Sequence, residues 1–163
     1  MNAPVIFREQ VREADCQAVR DIVASSGFFS AEEIDVAEEL VRENLQKGEA
    51  SGYRFVLAED ASGRVMGYAC HGPTPCTSHT HDLYWIAVRE ESRGRGLGQA
   101  LLQRVEKRLR AGGGGKLIAE TSSRAQYAPT RAFYVRAGFT AEALIRDYYA
   151  PGEDIVYFTK QVA

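Results

Sequence analysis

The spacing of apolar positions changes period repeatedly along the chain, and each change marks an element. PVIFREQ, residues 4–10, makes a short β-type run. In ADCQAVRDIVASSG, Val19, Ile22 and Val23 share one helical face, and Gly27 supplies a C-terminal cap. FFSAEEIDVAEELVRENLQKG reads as a second helix. Ser30 and Glu33 have the spacing of a capping box, Phe29 and Ile34 that of a hydrophobic staple, and Gly48 closes the segment. YRFVLAED, the turn ASG and RVMGYACHG predict a hairpin. DLYWIAV, residues 82–88, is apolar, aromatic and β-branched enough for a central strand.

Leu97, Leu101, Val105 and Leu109 then recur every four residues, opposite Arg104, Lys107 and Arg108. That pattern predicts an amphipathic helix with a solvated basic face, stopped by the glycines at 112–115. KLIAETSS is a further strand, and APTRAFYVRAG a short helix with Pro129 near its start and Gly138 at its end. FTAEALIRDYY and DIVYFTKQV form a last hairpin, turned at Pro151-Gly152 with type II chemistry. The order β-α-α-β-β-β-α-β-α-β-β predicts one α/β (α+β) domain over residues 1–163. Its sheet should be mixed, mostly antiparallel and of about seven strands, flanked by about four helices. One crossover, residues 82–122, should be right-handed with its two strands parallel.

Composition narrows the classes of function. With 45% hydrophobic and 26% charged residues, the chain reads as globular and not disordered. Twenty Lys and Arg against 22 Asp and Glu leave a net charge of −2. Binding to nucleic acid or to an anionic membrane needs a surplus of basic residues, so neither partner is expected. No apolar run reaches the length of a membrane span, and no secretory signal is visible. Cys16, Cys70 and Cys76 are odd in number and scattered, which argues against a disulfide framework and for a reducing, cytoplasmic setting. CHGPTPCTSHTHD, residues 70–82, gathers Cys70, His71, Cys76, His79 and His81, but at no zinc-ligand spacing. It reads as a polar loop joining two strands, and no metal is expected.

The densest chemistry lies at residues 93–98, RGRGLG. A glycine-rich turn between a strand and a helix points several backbone N–H groups at one spot, where the helix dipole also favours an anion. No Gly-Lys-Ser/Thr follows, so this is not a P-loop, and G-x-G-x-G differs from the dinucleotide fingerprint. Arg93-x-x-Gly96-x-Gly98, following Ala87-Val88, resembles the acetyl-CoA signature of the GNAT superfamily of N-acetyltransferases. Tyr134-x-x-x-Gly138-Phe139 matches a second family motif, and the resemblance covers nearly the whole chain.

The resemblance implies acetyl-CoA as cofactor, its diphosphate held by N–H groups of Gly94, Arg95, Gly96, Leu97, Gly98 and Gln99. Arg93 and Arg95 would add charge-assisted contacts. On the preceding strand, Ile86, Ala87 and Val88 would line the cofactor. The Ile86 N–H is then the donor to the thioester carbonyl, and Val88 bonds the pantetheine arm. This needs strands 82–88 and 116–122 to splay apart. Thr130 joins the cofactor-contact set, although many relatives have Ala there and Asn where this chain has Tyr127. Tyr134 is the implied general acid for the departing thiolate, with Phe133 left to pack.

The attacking amine must also lose a proton, since an alkylammonium of pKa about 10.4 is only about 0.04% neutral at pH 7. Asp82 stands eleven residues before Arg93, where some family members carry their general base. Glu120 on the neighbouring strand is the competing base or a binding carboxylate, and water is the third option. Alternation puts Asp82, Tyr84, Ile86 and Val88 on one face. Tyr84 with Asp82 and Glu120 points to a small cationic or amino-acid-like acceptor, and Arg146 would bind a carboxylate if the acceptor has one. Phe28 and Phe29 lie in a segment that often borders the acceptor pocket of relatives. The expected activity is direct acetyl transfer to a primary amine of a small amino-acid-like or polyamine-like molecule. The rival readings are a catalytically inactive coenzyme A-binding regulator, a longer acyl donor, or a protein or peptide acceptor. Relatives often form homodimers, but no segment here marks an interface.

Overall fold

The computed structural model describes residues 3–163. Its elements run β1 (Ile6–Arg8), α1 (Asp15–Ser25), α2 (Ala31–Lys47), β2 (Arg54–Glu59), β3 (Val65–Pro73), β4 (Thr80–Val88), α3 (Leu97–Ala111), β5 (Gly115–Ser122), α4 (Ala128–Arg136), β6 (Thr140–Ala150) and β7 (Glu153–Val162), in the predicted order. Short 3-10 turns sit at Gly48–Ser51, Glu90–Ser92 and Ala125–Tyr127. The seven strands form one sheet, ordered β1-β2-β3-β4-β5-β7-β6. β4 and β5 are parallel, in register from Thr80↔Lys116 to Leu83↔Ala119. The pairs β1–β2, β2–β3, β5–β7 and β6–β7 are antiparallel, so the sheet is mixed as expected.

Local chemistry accounts for the α2 boundary. Ser30 Oγ accepts the Glu33 N–H at 3.2 Å, and the Glu33 carboxylate accepts the Ser30 N–H at 2.7 Å, which completes the capping box. Gly48, at φ 60°, ends the helix. Ser30→Ala should lower stability by about 1 kcal/mol. That corresponds to a fall in Tm of roughly 2–4 °C in a thermal melt; an unchanged Tm would show that the box adds nothing.

The chain divides into two compact units. One comprises Met1–Gly72 and Trp85–Lys107. Its core contains Val19, Ile22 and Val23 of α1, Val41 of α2, Phe55 and Leu57 of β2, and Leu101 and Val105 of α3. Gly67 on β3 permits the close approach of α3: a Cβ there would lie 3.0 Å from the Ala87 carbonyl oxygen and 3.4 Å from Leu101. Arg8 ties β1 to the buried carboxylates of Asp15 and Glu59, each at 2.5 Å. On the basic face of α3, the Arg104 guanidinium lies over the Phe7 ring at 3.9 Å.

The other unit comprises Pro73–Tyr84 and Arg108–Ala163. Leu117, Ala119, Ile155 and Phe158 form its core with Tyr134 and Phe139. The last of the four consecutive glycines, Gly115, has φ 145°, and a Cβ there would collide with the His79 carbonyl oxygen. The expected polar loop at 70–82 proves shorter. β3 continues to Pro73 and β4 begins at Thr80, leaving a six-residue turn at 74–79, closed by a 2.8 Å bond from the Thr74 N–H to the Thr80 carbonyl. Cys70 and His71 are fully buried in β3 because strand pairing with β2 continues through them. Among the described residues, no helix is long and apolar enough to cross a membrane.

Candidate active site

In the first unit, the glycine turn is anchored before it begins. Arg89, at the end of β4, is buried; its N–H donates to the Met66 carbonyl at 2.8 Å and its Nε to the Val65 carbonyl at 2.7 Å. The 3-10 turn at Glu90–Ser92 follows, with the Ser92 N–H bonded to the Arg89 carbonyl at 2.9 Å. Arg64 pairs with Glu91 at 2.8 Å and braces the same segment against β3. The chain then passes through Gly94 at φ 71° and Gly96 at φ 77°, a region that L side chains enter at a cost. A Cβ at either glycine would meet nothing within 4 Å, so these glycines serve backbone conformation and not internal packing.

α3 starts at Leu97, and the Ala100 N–H closes onto the Gly96 carbonyl at 3.0 Å. The N–H groups of Leu97, Gly98 and Gln99 belong to the first helical turn, where no intrahelical acceptor exists. Arg93, Gly94, Arg95, Gly96 and Gln99 are all exposed. The Arg93 Nε donates to the Val88 carbonyl at 3.3 Å, holding one guanidinium at the mouth of the turn. An open turn of positive-φ glycines, two arginines and a helix N-terminus can hold a diphosphate.

Strand β4 supplies the second feature. β3 is buried from Val65 to Gly72, whereas Ile86, Ala87 and Val88 of β4, also inside the sheet, are only half-buried. Apolar residues left partly in water on an inner strand can be covered by a ligand. Phe29 meets Trp85 edge-on, with ring centroids 5.1 Å apart, and Phe28 is 40% exposed beside it. The stacking partner of Phe29 is therefore an aromatic of β4. Trp85 carried no candidate role in the sequence, because its aromatic partner lies 56 residues away.

In the second unit, Asp82 and Tyr84 lie half-buried on the first part of β4, and Thr74 Oγ1 donates to Asp82 Oδ2 at 2.8 Å. Glu120 remains partly exposed on β5. Its carboxyl is pushed above the ordinary glutamate range, first by the surrounding protein and then by the charge of Asp82. The two carboxylates thus feel each other, as candidates for one acid–base task should.

Tyr134 corrects one expectation. It is the buried member of its pair, 4% exposed, while Phe133 is only half-buried. The Tyr134 ring packs among Phe133, Phe139 and Phe158 at centroid distances of 5.3–5.5 Å. Burial raises its phenol pKa, so the hydroxyl stays protonated at neutral pH. Thr130 lies half-buried in the first turns of α4, and Arg146 is exposed on β6.

Comparison with known proteins decides the family. The model of the acetyltransferase (GNAT) family matches residues 16–139, a span that runs through both units. The chain belongs to the GNAT family of acetyltransferases. An uncharacterized N-acetyltransferase of Methanocaldococcus jannaschii is 32% identical over 144 residues, covering 82% of this chain and 88% of that one. A crystal structure assigned to the GNAT family, from Desulfovibrio desulfuricans, superposes with a TM-score of 0.95 at 51% identity, covering 98% of this chain and all of that one. The L-methionine sulfoximine/L-methionine sulfone acetyltransferase of Pseudomonas aeruginosa is 40% identical over 77 residues, 44% of this chain and 43% of that protein. This GNAT enzyme is an acyltransferase, and acetyl-CoA is the cosubstrate of its family.

Proposed function

We propose that the enzyme transfers acetyl directly from acetyl-CoA to a primary amine of a small molecule, without a covalent enzyme intermediate. The observation that carries this reading is the half-buried apolar stretch Ile86–Val88 on an inner strand, leading directly into the anchored glycine turn. The N–H groups of residues 94–99, with Arg93 and Arg95, would hold the diphosphate. Ile86, Ala87 and Val88 would hold the pantetheine arm, with Thr130 a further contact. When bound, acetyl-CoA supplies an activated acyl group and a thiolate leaving group. The ladder between β4 and β5, in register to Leu83↔Ala119, would have to open beyond that point to free backbone donors of Ile86 and Val88.

The chain's own groups divide the proton work. Asp82 or Glu120 takes the ammonium proton, directly or through water. Tyr134 donates toward the thiolate. A phenol raised by burial is a weaker acid than a thiol of pKa about 8.5, so hydrogen-bond donation is favoured over full proton transfer. Tyr134→Phe should therefore lower kcat about tenfold while the Kd for coenzyme A changes little. An unchanged kcat would remove Tyr134 from the reaction.

The whole reading is tested by calorimetry with acetyl-CoA and with coenzyme A, followed by thioester consumption across a panel of amines. Heat of binding and acetylated product are expected. Binding without turnover on any amine would make the protein a coenzyme A-responsive regulator, and no heat with either ligand would overturn the reading.

A further inference from the structure

Strand register in the second unit surrounds the two candidate bases with side chains that acetyl transfer alone does not call for. Asp82 lies beside Ile118 in the parallel ladder, and Glu120 follows two residues later on β5, so both carboxylates leave the same face. Glu120 pairs with Tyr157 of β7, which puts that ring on this face too. β6 departs from its register with β7 between Ile145 and Ala150, where Asp147 has φ 51°. The departure is a built turn. The Asp147 N–H bonds Asp154 Oδ1 at 2.9 Å, and Asp147 Oδ1 accepts the Gly152 N–H at 2.6 Å.

This bulge carries Tyr148 and Tyr149, whose rings meet edge-on at 4.9 Å. Burial, then Glu120 and Tyr148, push the Tyr157 phenol above its ordinary range, which places Tyr148 near Tyr157. Tyr149 is pushed up to about 12, first by burial and then by the charge of Glu120, which marks the carboxylate as a near neighbour. Both Tyr148 and Tyr149 nevertheless keep about half their surface in water, at 52% and 48%. Among the described residues, no salt bridge joins Asp82 or Glu120 to a lysine or arginine. Two uncompensated carboxylates beside exposed aromatic rings describe the complement of an ammonium ion.

We propose that Tyr148, Tyr149 and Tyr157, together with whichever of Asp82 and Glu120 is not the base, bind a second ammonium group of the acceptor that does not itself react. The distinction follows from the chemistry of attack. The carboxylate that acts as base faces the nitrogen that must become neutral, whereas the other carboxylate and the aromatic faces favour the charged form of an amine. The cation held on the rings is thus a second one, and the acceptor class is a diamine or longer polyamine. An α-amino acid, with one amine and a carboxylate, would bring its negative charge to an acidic face. This assignment of the face as an acceptor subsite rests on the acetyl-transfer reading above.

The test separates the two ideas. Calorimetric titration of the full chain compares choline with 3,3-dimethylbutan-1-ol, a neutral molecule of the same shape. Choline should bind and the alcohol should not. Tyr149→Leu should weaken choline binding about tenfold and Tyr149→Phe should retain it. In steady-state assays, kcat/KM for 1,4-diaminobutane should exceed that for butan-1-amine at least tenfold, and Tyr149→Leu should shrink that ratio. Equal or absent binding of choline and the alcohol to the wild-type chain overturns the cation site, even if acetyl transfer proceeds. Selective choline binding in a chain that binds no coenzyme A keeps the cation site and sinks the acetyl-transfer reading instead.

Discussion

Removing both carboxylates, Asp82→Asn together with Glu120→Gln, should lower kcat by about 10²–10⁴-fold at neutral pH, the usual contribution of a positioned general base. The single variants apportion the effect. A folded-state pKa for Glu120 above its unfolded value means that its base form is lost as pH falls through that raised value. The acid limb of the kcat/KM profile should therefore lie above the ordinary glutamate range of about 4.3 if Glu120 is the base. Asp82→Asn removes the second cause of the shift and should move that limb downward. A limb that stays fixed in Asp82→Asn and vanishes in neither variant would leave proton removal to water. The same shift has a stability sign. The fold favours protonated Glu120, so its contribution is present below the unfolded pKa and is lost as pH rises through the folded one. Glu120→Gln should accordingly melt no lower than the wild type at pH 7, which separates lost turnover from lost folding.

Gly96→Val should weaken coenzyme A binding about 10- to 100-fold, the loss expected when one or two hydrogen bonds to a charged group are misdirected. At φ 77°, a β-branched residue costs about 1–2 kcal/mol, and the backbone relaxes away from that region. Beyond the adjoining residues, no atom of the protein lies within 4 Å of the new Cβ, so the core is untouched and Tm should fall by only a few degrees. Calorimetry beside a thermal melt reads both quantities. A variant with wild-type coenzyme A affinity would show that the turn does not hold the diphosphate. Arg89 offers a further comparison, since its buried bonds to the Val65 and Met66 carbonyls position the turn without being exposed to a ligand.

The sequence by itself determined the order of elements, the parallel crossover, the capping box at Ser30 and the glycine turn at 93–98. All four depend on residues near one another in the chain: an apolar period, a capping side chain three residues from its partner, a glycine where φ must be positive. It also carried the family through two motifs, Arg93–Gly98 and Tyr134–Phe139. Other features depend on which strand lies beside which. The short helix α4 has too weak an apolar periodicity to say whether Phe133 or Tyr134 faces inward, and packing against Phe139 and Phe158 decided for Tyr134. Cys70 and His71 fall both in the predicted strand RVMGYACHG and in the polar stretch 70–82, and pairing with β2 decided for the strand. The acidic, tyrosine-lined face exists only through the register of β4 with β5 and of β5 with β7, and through the bulge at Asp147. Register is an agreement between segments distant in sequence, and slipping it by one residue turns every side chain to the other face. No local pattern encodes that choice, so only the folded chain could reveal it.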